Sequence, residues 1–217
     1  MKTVQKGFTL VEIAIVLVII GLLLGGILKG QEMIAQAKIK NVVADFSGIS
    51  AAYYGYQDRY RAIPGDDPNA GTRWSGAIAG GGNGVVGGTY NADCPVTAVS
   101  GTAESCTWWD HLRRAGFVAG TGAQQPFNAL TGKIGVQTGD GAGGTALSGF
   151  GGLIVCSSNL TDKIAIAVDT QMDDGVIDKG GVRGQLHTAG PNPSMSTTAS
   201  GTYEETGTNV YTVCRAL

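Results

Sequence analysis

Lys6-Gly7-Phe8-Thr9-Leu10-Val11-Glu12 opens an apolar run that continues to Leu28, and Glu12 is the only charged residue among the 21 from Phe8 to Leu28. At about 1.5 Å rise per residue, a helix of that length spans roughly 30 Å, the thickness of a bilayer's hydrocarbon core. The segment is therefore predicted to cross a membrane as a helix. A carboxylate in such a helix costs roughly 2.5 to 3.5 kcal/mol on insertion scales, which marks Glu12 as functional and requires a partner for it. Lys2 and Lys6 precede the run and put the amino end on the cytoplasmic side.

Gly7-Phe8-Thr9-Leu10-Val11-Glu12, after a short lysine-containing leader and before an apolar helix, resembles the processing site of type IV pilins and the related pseudopilins of type II secretion. The resemblance implies that residues 1–7 are a leader, cut after Gly7 by a prepilin peptidase and N-methyltransferase that methylates the new amino terminus at Phe8. It also implies that Glu12 neutralises the terminal amine of a neighbouring subunit as apolar helices bundle in a fibre. Burial physics agrees with this, because an ammonium and a carboxylate in an apolar bundle are each stranded unless they meet an opposite charge. Many pilins kink their helix with a proline at the position that this chain fills with Lys29.

Two plainer readings compete. A secretory signal peptide needs a basic start, an apolar centre and a small-residue cleavage site, and Lys2, Lys6, Ile13 to Leu28 and Ala35-Gln36-Ala37 supply them. Its apolar centre is long for a signal peptide, however, and Lys29 and Glu32 intervene before Ala35. A plain membrane anchor leaves Glu12 unexplained.

Beyond Leu28 no helix breaker occurs until Pro64. Ile39, Val42, Phe46, Ile49, Tyr53, Tyr56 and Tyr60 recur at alternating spacings of three and four, which places them on one face of a continuing helix. Lys38, Lys40, Asn41, Asp45, Ser47 and Asp58 take the opposite face. One helix from Phe8 to near Tyr60 is predicted, apolar over residues 8–28 and amphipathic over 29–62, and Pro64-Gly65 stops it. The stripe alone also fits a coiled coil; the family resemblance implies instead that it packs under a globular head.

Residues 63–217 suffice for one small domain. The chain has 36 glycines and a net charge of −2. The stretches 76–88 and 139–152 are glycine-rich enough to be long loops. Removing Lys2 and Lys6 with the leader makes the charge more negative, which leaves no basic footprint for nucleic acid. Trp108 to Phe117 is predicted to be a short helix, stopped by a left-handed Gly116 with Phe117 folding back. Residues 152–156 and 209–214 are strand candidates. Lys163 to Val168 fits either period, and Thr161 as a cap with Gly175 beyond favours helix.

Three further stretches resemble a subset of pilin-like proteins: Tyr60 to Asp66 with its Pro-Gly-Asp turn, the helix around His111 to Gly116, and Asp169 to Gly175 with its Asp-Asp-Gly. The fold implied is α+β, a long amino-terminal helix on a small antiparallel sheet. Cys94, Cys106, Cys156 and Cys214 suit an exported domain, and four cysteines allow three pairings. Cys94 with Cys106 and Cys156 with Cys214 is the favoured set, since a carboxy-terminal cysteine bonded back into the head resembles the loop closure of many pilins.

Asp169, Asp173, Asp174 and Asp178 form the one acidic group that suits calcium, although the spacing is not an EF-hand and Asp-Asp-Gly is also ordinary turn chemistry. No cofactor is otherwise implied. His111 and His187 lack companions for catalysis, and no nucleophile-elbow, zinc-protease or phosphate-loop motif occurs. Gly82 to Gly87 and Gly139 to Gly144 match the dinucleotide fingerprint in letters but lack the flanking strand and helix that it needs. The expectation is a non-enzymatic pilin or minor pilin, stored as a single-pass inner-membrane precursor and built into a periplasmic or surface filament. Its implied partners are the prepilin peptidase, other subunits and an inner-membrane assembly platform. A type II secretion pseudopilin and an exported enzyme or binding protein are the alternatives.

Overall fold

The structure is a computed structural model that describes residues 9–187, 190–199 and 201–217. Gly7 and Phe8 lie outside the described residues. Contacts divide the chain into a unit ending at Ala37 and a unit from Lys38 to Leu217. Helix α1, Leu10–Tyr60, supplies the described helix of the first unit and continues as the first element of the second.

Within the first unit the side chains from Leu10 to Leu28 are all exposed. The segment has a mean hydropathy of 2.8 in its most apolar window, and the helix is long and apolar enough to cross a membrane. The only ion pair of this unit among the described residues joins Lys29 Nζ to Glu32 Oε2 at 2.8 Å, one helical turn apart. With lysine in place of a kinking proline, the backbone here is uninterrupted α-helix.

In the second unit the predicted stripe is the buried one. Ile39, Val42, Phe46, Ile49, Tyr53 and Tyr56 are all buried, and Tyr60 is half-buried beside them. The helix ends at Tyr60, Arg61 turns left-handed at φ 53°, and Pro64 bars resumption.

Four strands follow: β1 Ile134–Thr138, β2 Leu153–Thr161, β3 Val182–Leu186 and β4 Val210–Ala216. They form one antiparallel sheet in the order β1-β2-β4-β3. Helices α2 Ala70–Arg73, α3 Glu104–Arg114 and α4 Asp162–Met172 complete the elements.

The sheet is buried on both faces. Ile134, Val136, Leu153, Val155, Tyr211 and Val213 join the α1 stripe, α3 and α4 in the main core. The alternate residues Ile154, Cys156 and Cys214 pack with Tyr90, Leu147 and Phe150 from the glycine-rich loops. This alternation follows from the two-residue period of a strand.

Both sheet edges are closed by glutamine side chains. On β1, Gln137 Oε1 accepts the Tyr90 N–H at 2.9 Å and Gln125 Nε2 donates to the Tyr90 carbonyl at 2.6 Å. On β3, Gln185 Oε1 accepts the Ser196 N–H at 2.6 Å and its Nε2 donates to the Ser194 carbonyl at 3.0 Å. Loops so pinned cover main-chain groups that would otherwise recruit a foreign strand. Gly135 is glycine because the Tyr90 carbonyl lies where a Cβ would stand.

Helix α3 starts at Glu104, a turn earlier than the Trp108 expected from the aromatic pattern. Its stop is as expected. Gly116 takes φ 80°, the Phe117 N–H donates to the Leu112 carbonyl at 3.0 Å, and the Gly116 N–H donates to that of Arg113 at 3.1 Å. These are the paired bonds of a Schellman stop. Phe117 then packs closely over Gly55 of α1. Residues 163–168 are helical, with Thr161 at the N-cap position, but its side chain makes no capping bond. Asp162 is used instead: Oδ1 accepts the Lys163 N–H at 2.8 Å and Oδ2 the Gly207 N–H at 2.6 Å.

Candidate functional site

Glu12 sits on the first turn of α1, where Thr9 precedes the first helical residue. Its Oε2 accepts the Thr9 N–H at 2.7 Å and the Thr9 hydroxyl at 2.7 Å, and the Glu12 N–H donates to Thr9 Oγ1 at 3.3 Å. This is a capping box, in which the two residues satisfy each other's orphan donors. The Thr-x-x-Glu spacing of this box is legible in the sequence at Thr9 to Glu12. Both Thr9 bonds fall on Oε2, which leaves Oε1 able to accept from a further donor. Every side chain from Leu10 to Leu28 around it is exposed, so the segment presents an apolar surface that needs lipid or other helices to cover it.

The head is fastened by two disulfides, Cys94–Cys106 and Cys156–Cys214, as favoured from the sequence. Cys156 and Cys214 face each other across β2 and β4, which ties the carboxy-terminal strand into the middle of the sheet. Cys94–Cys106 anchors the exposed loop ahead of α3 to that helix.

Two of the stretches singled out in the sequence meet in space. The Gly65 N–H of the Pro-Gly-Asp turn donates to His111 Nδ1 at 2.9 Å, and His111 Nε2 lies 2.8 Å from the Ile78 carbonyl. This fixes the neutral tautomer with its proton on Nε2. Burial pushes the imidazole below its usual range, opposed by the Ile78 carbonyl. Asp66 accepts the N–H groups of Asn83 and Gly84 at 3.0 and 2.7 Å, and Glu104 those of Gly81 and Gly87 at 2.8 and 2.9 Å. Two carboxylates thus clamp the first glycine-rich loop. Asp67 accepts the Tyr56 hydroxyl at 2.6 Å and pairs with Arg73, whose guanidinium lies over the adjoining rings of Tyr60 and Trp74. Sequence reasoning missed Asp67, Arg73 and Glu104, because their partners are far along the chain or their own segments carry no period.

The acidic group has other employment. Asp169 accepts the Tyr203 hydroxyl at 2.8 Å and the Gly175 N–H at 3.1 Å. Burial raises its carboxyl, opposed by those two bonds. Asp173 accepts the N–H groups of Gly181 and Val182 at 2.5 and 3.0 Å, and Asp174 that of Val176 at 2.8 Å. Asp178 is half-buried on the same turn. Among the described residues no three His, Cys, Asp or Glu side chains gather as a metal would need. The arrangement is turn chemistry that docks the α4–β3 connection onto the sheet. Residues 82–87 and 139–144 are loops; Asp140 caps the second by accepting the Ala142 and Gly144 N–H groups at 2.9 and 2.8 Å.

Residues 2–28 match the family model of the prokaryotic N-terminal methylation motif. The methylation motif, the long apolar amino-terminal helix and the small antiparallel sheet together give the chain a pilin-like α+β fold. The chain is similar to the "Fimbrial protein" of Neisseria meningitidis serogroup B (strain ATCC BAA-335 / MC58), at 35% identity over 81 residues, 37% of this chain and 48% of that protein. It is similar by the same measures to the "Type IV major pilin protein PilE" of Neisseria gonorrhoeae, 35% identical over 81 residues, 37% of this chain and 48% of that protein. The match spans about half the length of these curated relatives.

Proposed function

We propose that the chain is a pilin or minor pilin of a type IV pilus-like filament. It is made as a single-pass inner-membrane precursor with its amino end in the cytoplasm. A prepilin peptidase cuts after Gly7 and methylates Phe8, and an assembly platform then moves residues 8–28 from lipid into a filament core of like helices. The observation that carries this reading is the methylation motif leading into an exposed apolar helix with one acid, Glu12. The likeness to fimbrial proteins supports a filament subunit.

Chemistry on this chain belongs to the peptidase, and the chain itself acts by binding. In the lipid, Thr9 supplies Glu12 with two donors on one oxygen. In the filament, the amine of a neighbouring Phe8 supplies a charge. A carboxylate moved from lipid into an apolar bundle gains most from a partner that is itself unpaired there. Glu12→Ala should therefore insert at least as well as the wild type and enter filaments poorly. The test is to confirm equal processing and membrane level, then follow the subunit's own incorporation into sheared filaments. Equal incorporation sinks charge pairing. Absence of the wild-type chain from sheared filaments, with its presence in the membrane, sinks the pilus reading in favour of a pseudopilus or an anchor.

A further inference from the structure

A hollow of about 290 Å³ opens beside α1 in the second unit, lined by Ala44, Asp45, Gly48, Trp109, Phe127 and Ile134 among others. Phe127 stands on it 64% exposed. Asp45 is half-buried in this apolar setting, and among the described residues it has no hydrogen-bond or ion-pair partner. The residues three and four positions away on α1 are Asn41, Val42, Gly48 and Ile49, none of them basic. Burial raises its carboxyl above the usual range, and nothing offsets the burial. An aromatic and an unpaired acid in one concavity call for an apolar group and a cation from outside.

One turn of the same unit presents that combination. In the α4–β3 connection Val176 is 39% exposed, and Lys179, three residues on across a tight turn, is exposed with no side-chain partner among the described residues. The turn is held from beneath. Ile177 is buried and its carbonyl accepts the Gly184 N–H at 2.8 Å, Asp174 caps Val176, and the Lys179 N–H closes on the Val176 carbonyl at 3.1 Å. Val176 and Lys179 are thus displayed on a fixed frame.

The topology sets these two patches apart. The hollow includes Ile134 at the start of β1, one edge of the sheet, while the turn leads into β3, the opposite edge. Three strand spacings, roughly 14 Å, separate the edges. Strand addition is blocked at both edges by the glutamine-pinned loops. A contact between copies through these regions has to be made by side chains.

We propose that the Val176–Lys179 turn of one copy seats in the Asp45–Phe127 hollow of the next, Val176 against Phe127 and Lys179 on Asp45. The contact is head-to-tail: each copy keeps an unused hollow and an unused turn. Contacts of this kind propagate as open helical arrays instead of closing as dimers. The proposal rests on the filament reading above and adds the surfaces through which the heads register.

Two charge reversals and their combination test it, made in the full-length chain in its filament-forming host. Both residues are unpaired, so Asp45→Lys and Lys179→Glu break no internal bond. Each alone should lower the ratio of filament to membrane subunit about tenfold, and the double variant should recover most of that loss. A second arm places cysteines at both positions, Asp45→Cys with Lys179→Cys. Mild oxidation of filaments should give a ladder of covalent multimers, and chains bearing one cysteine alone should give none. Single reversals that incorporate like the wild type, a double variant no better than the singles, or no ladder overturns the proposal while leaving the filament reading intact. Absence of the wild-type chain from filaments overturns both.

Discussion

Helix α1 puts apolar side chains to two uses, and the contrast between them explains most of the molecule. Before Ala37 the residues from Leu10 to Leu28 are apolar all round and exposed all round, which suits a solvent that is itself apolar. After Lys38 the apolar residues narrow to one stripe, and that stripe is buried from Ile39 to Tyr56. The first region awaits lipid or a bundle of its own kind; the second already has its partners in the sheet and α3. Their stabilities should therefore be separable, and the molecule contains the means to separate them. Trp74, Trp108 and Trp109 all belong to the second region, so tryptophan fluorescence reports the head alone.

The largest difference should follow loss of the disulfides. With sequence separations of 12 and 58, the loop-entropy account gives about 3 and about 4 kcal/mol, set against roughly 5 to 15 for a whole domain. Full-length protein in detergent, once reduced, should lose its tryptophan transition at much lower urea while keeping the helical far-ultraviolet signal of residues 10–37. Coincident loss of both signals would show that the two regions are one cooperative unit.

A smaller effect sharpens the same contrast on a single helix. Phe46→Ala empties a packed site in the second region and should cost the head about 3 to 5 kcal/mol. Leu22→Ala, at a residue 73% exposed in the first, should leave the head's urea midpoint where it was. A comparable shift from both substitutions contradicts the division.

The smallest effect is one of pH. His111 is held neutral by burial, so its folded pKa lies below the unfolded value of about 6.5. The unfolded chain then binds more protons as pH falls through that value, and stability drops with it. His187, also lowered by burial, acts in the same direction. Asp169, raised by burial, acts in the opposite one, and only near the carboxylate range. Head stability should be level from pH 8 to 7 and decline below about 6.5, and His111→Gln should flatten the slope without removing the part due to His187. An unchanged slope in that variant discounts the Gly65–His111 contact.

The same contrast governs what could be read in advance. Periodic burial is legible: the α1 stripe, the Gly116 stop with Phe117, the carboxy-terminal strand and both cysteine pairs are in the letters, since each follows from local spacing or from the family resemblance. Strands β1 and β3 carry no such pattern. Ile-Gly-Val-Gln-Thr and Val-Arg-Gly-Gln-Leu are short edge strands whose second faces are Gly135 with Gln137 and Arg183 with Gln185, side chains matched to the loops that pass over them. The clamping bonds of Asp66 and Glu104 leave no trace in the letters for a related reason, because a carboxylate that gathers backbone N–H groups from a distant loop makes no pattern in sequence. At Glu12 the isolated charge is legible at once, while the Thr9 half of the capping box depends on the fold of the first helical turn.

All of this presumes that the apolar region begins at a processed amino terminus. Edman sequencing with intact mass of the membrane-bound and filament-bound protein tests that directly. The account predicts a chain starting at Phe8 with a methylated amine, and accumulation of the uncut precursor in Gly7→Val. A mature chain starting at Lys38, or one that retains residues 1–7 in the filament, contradicts it.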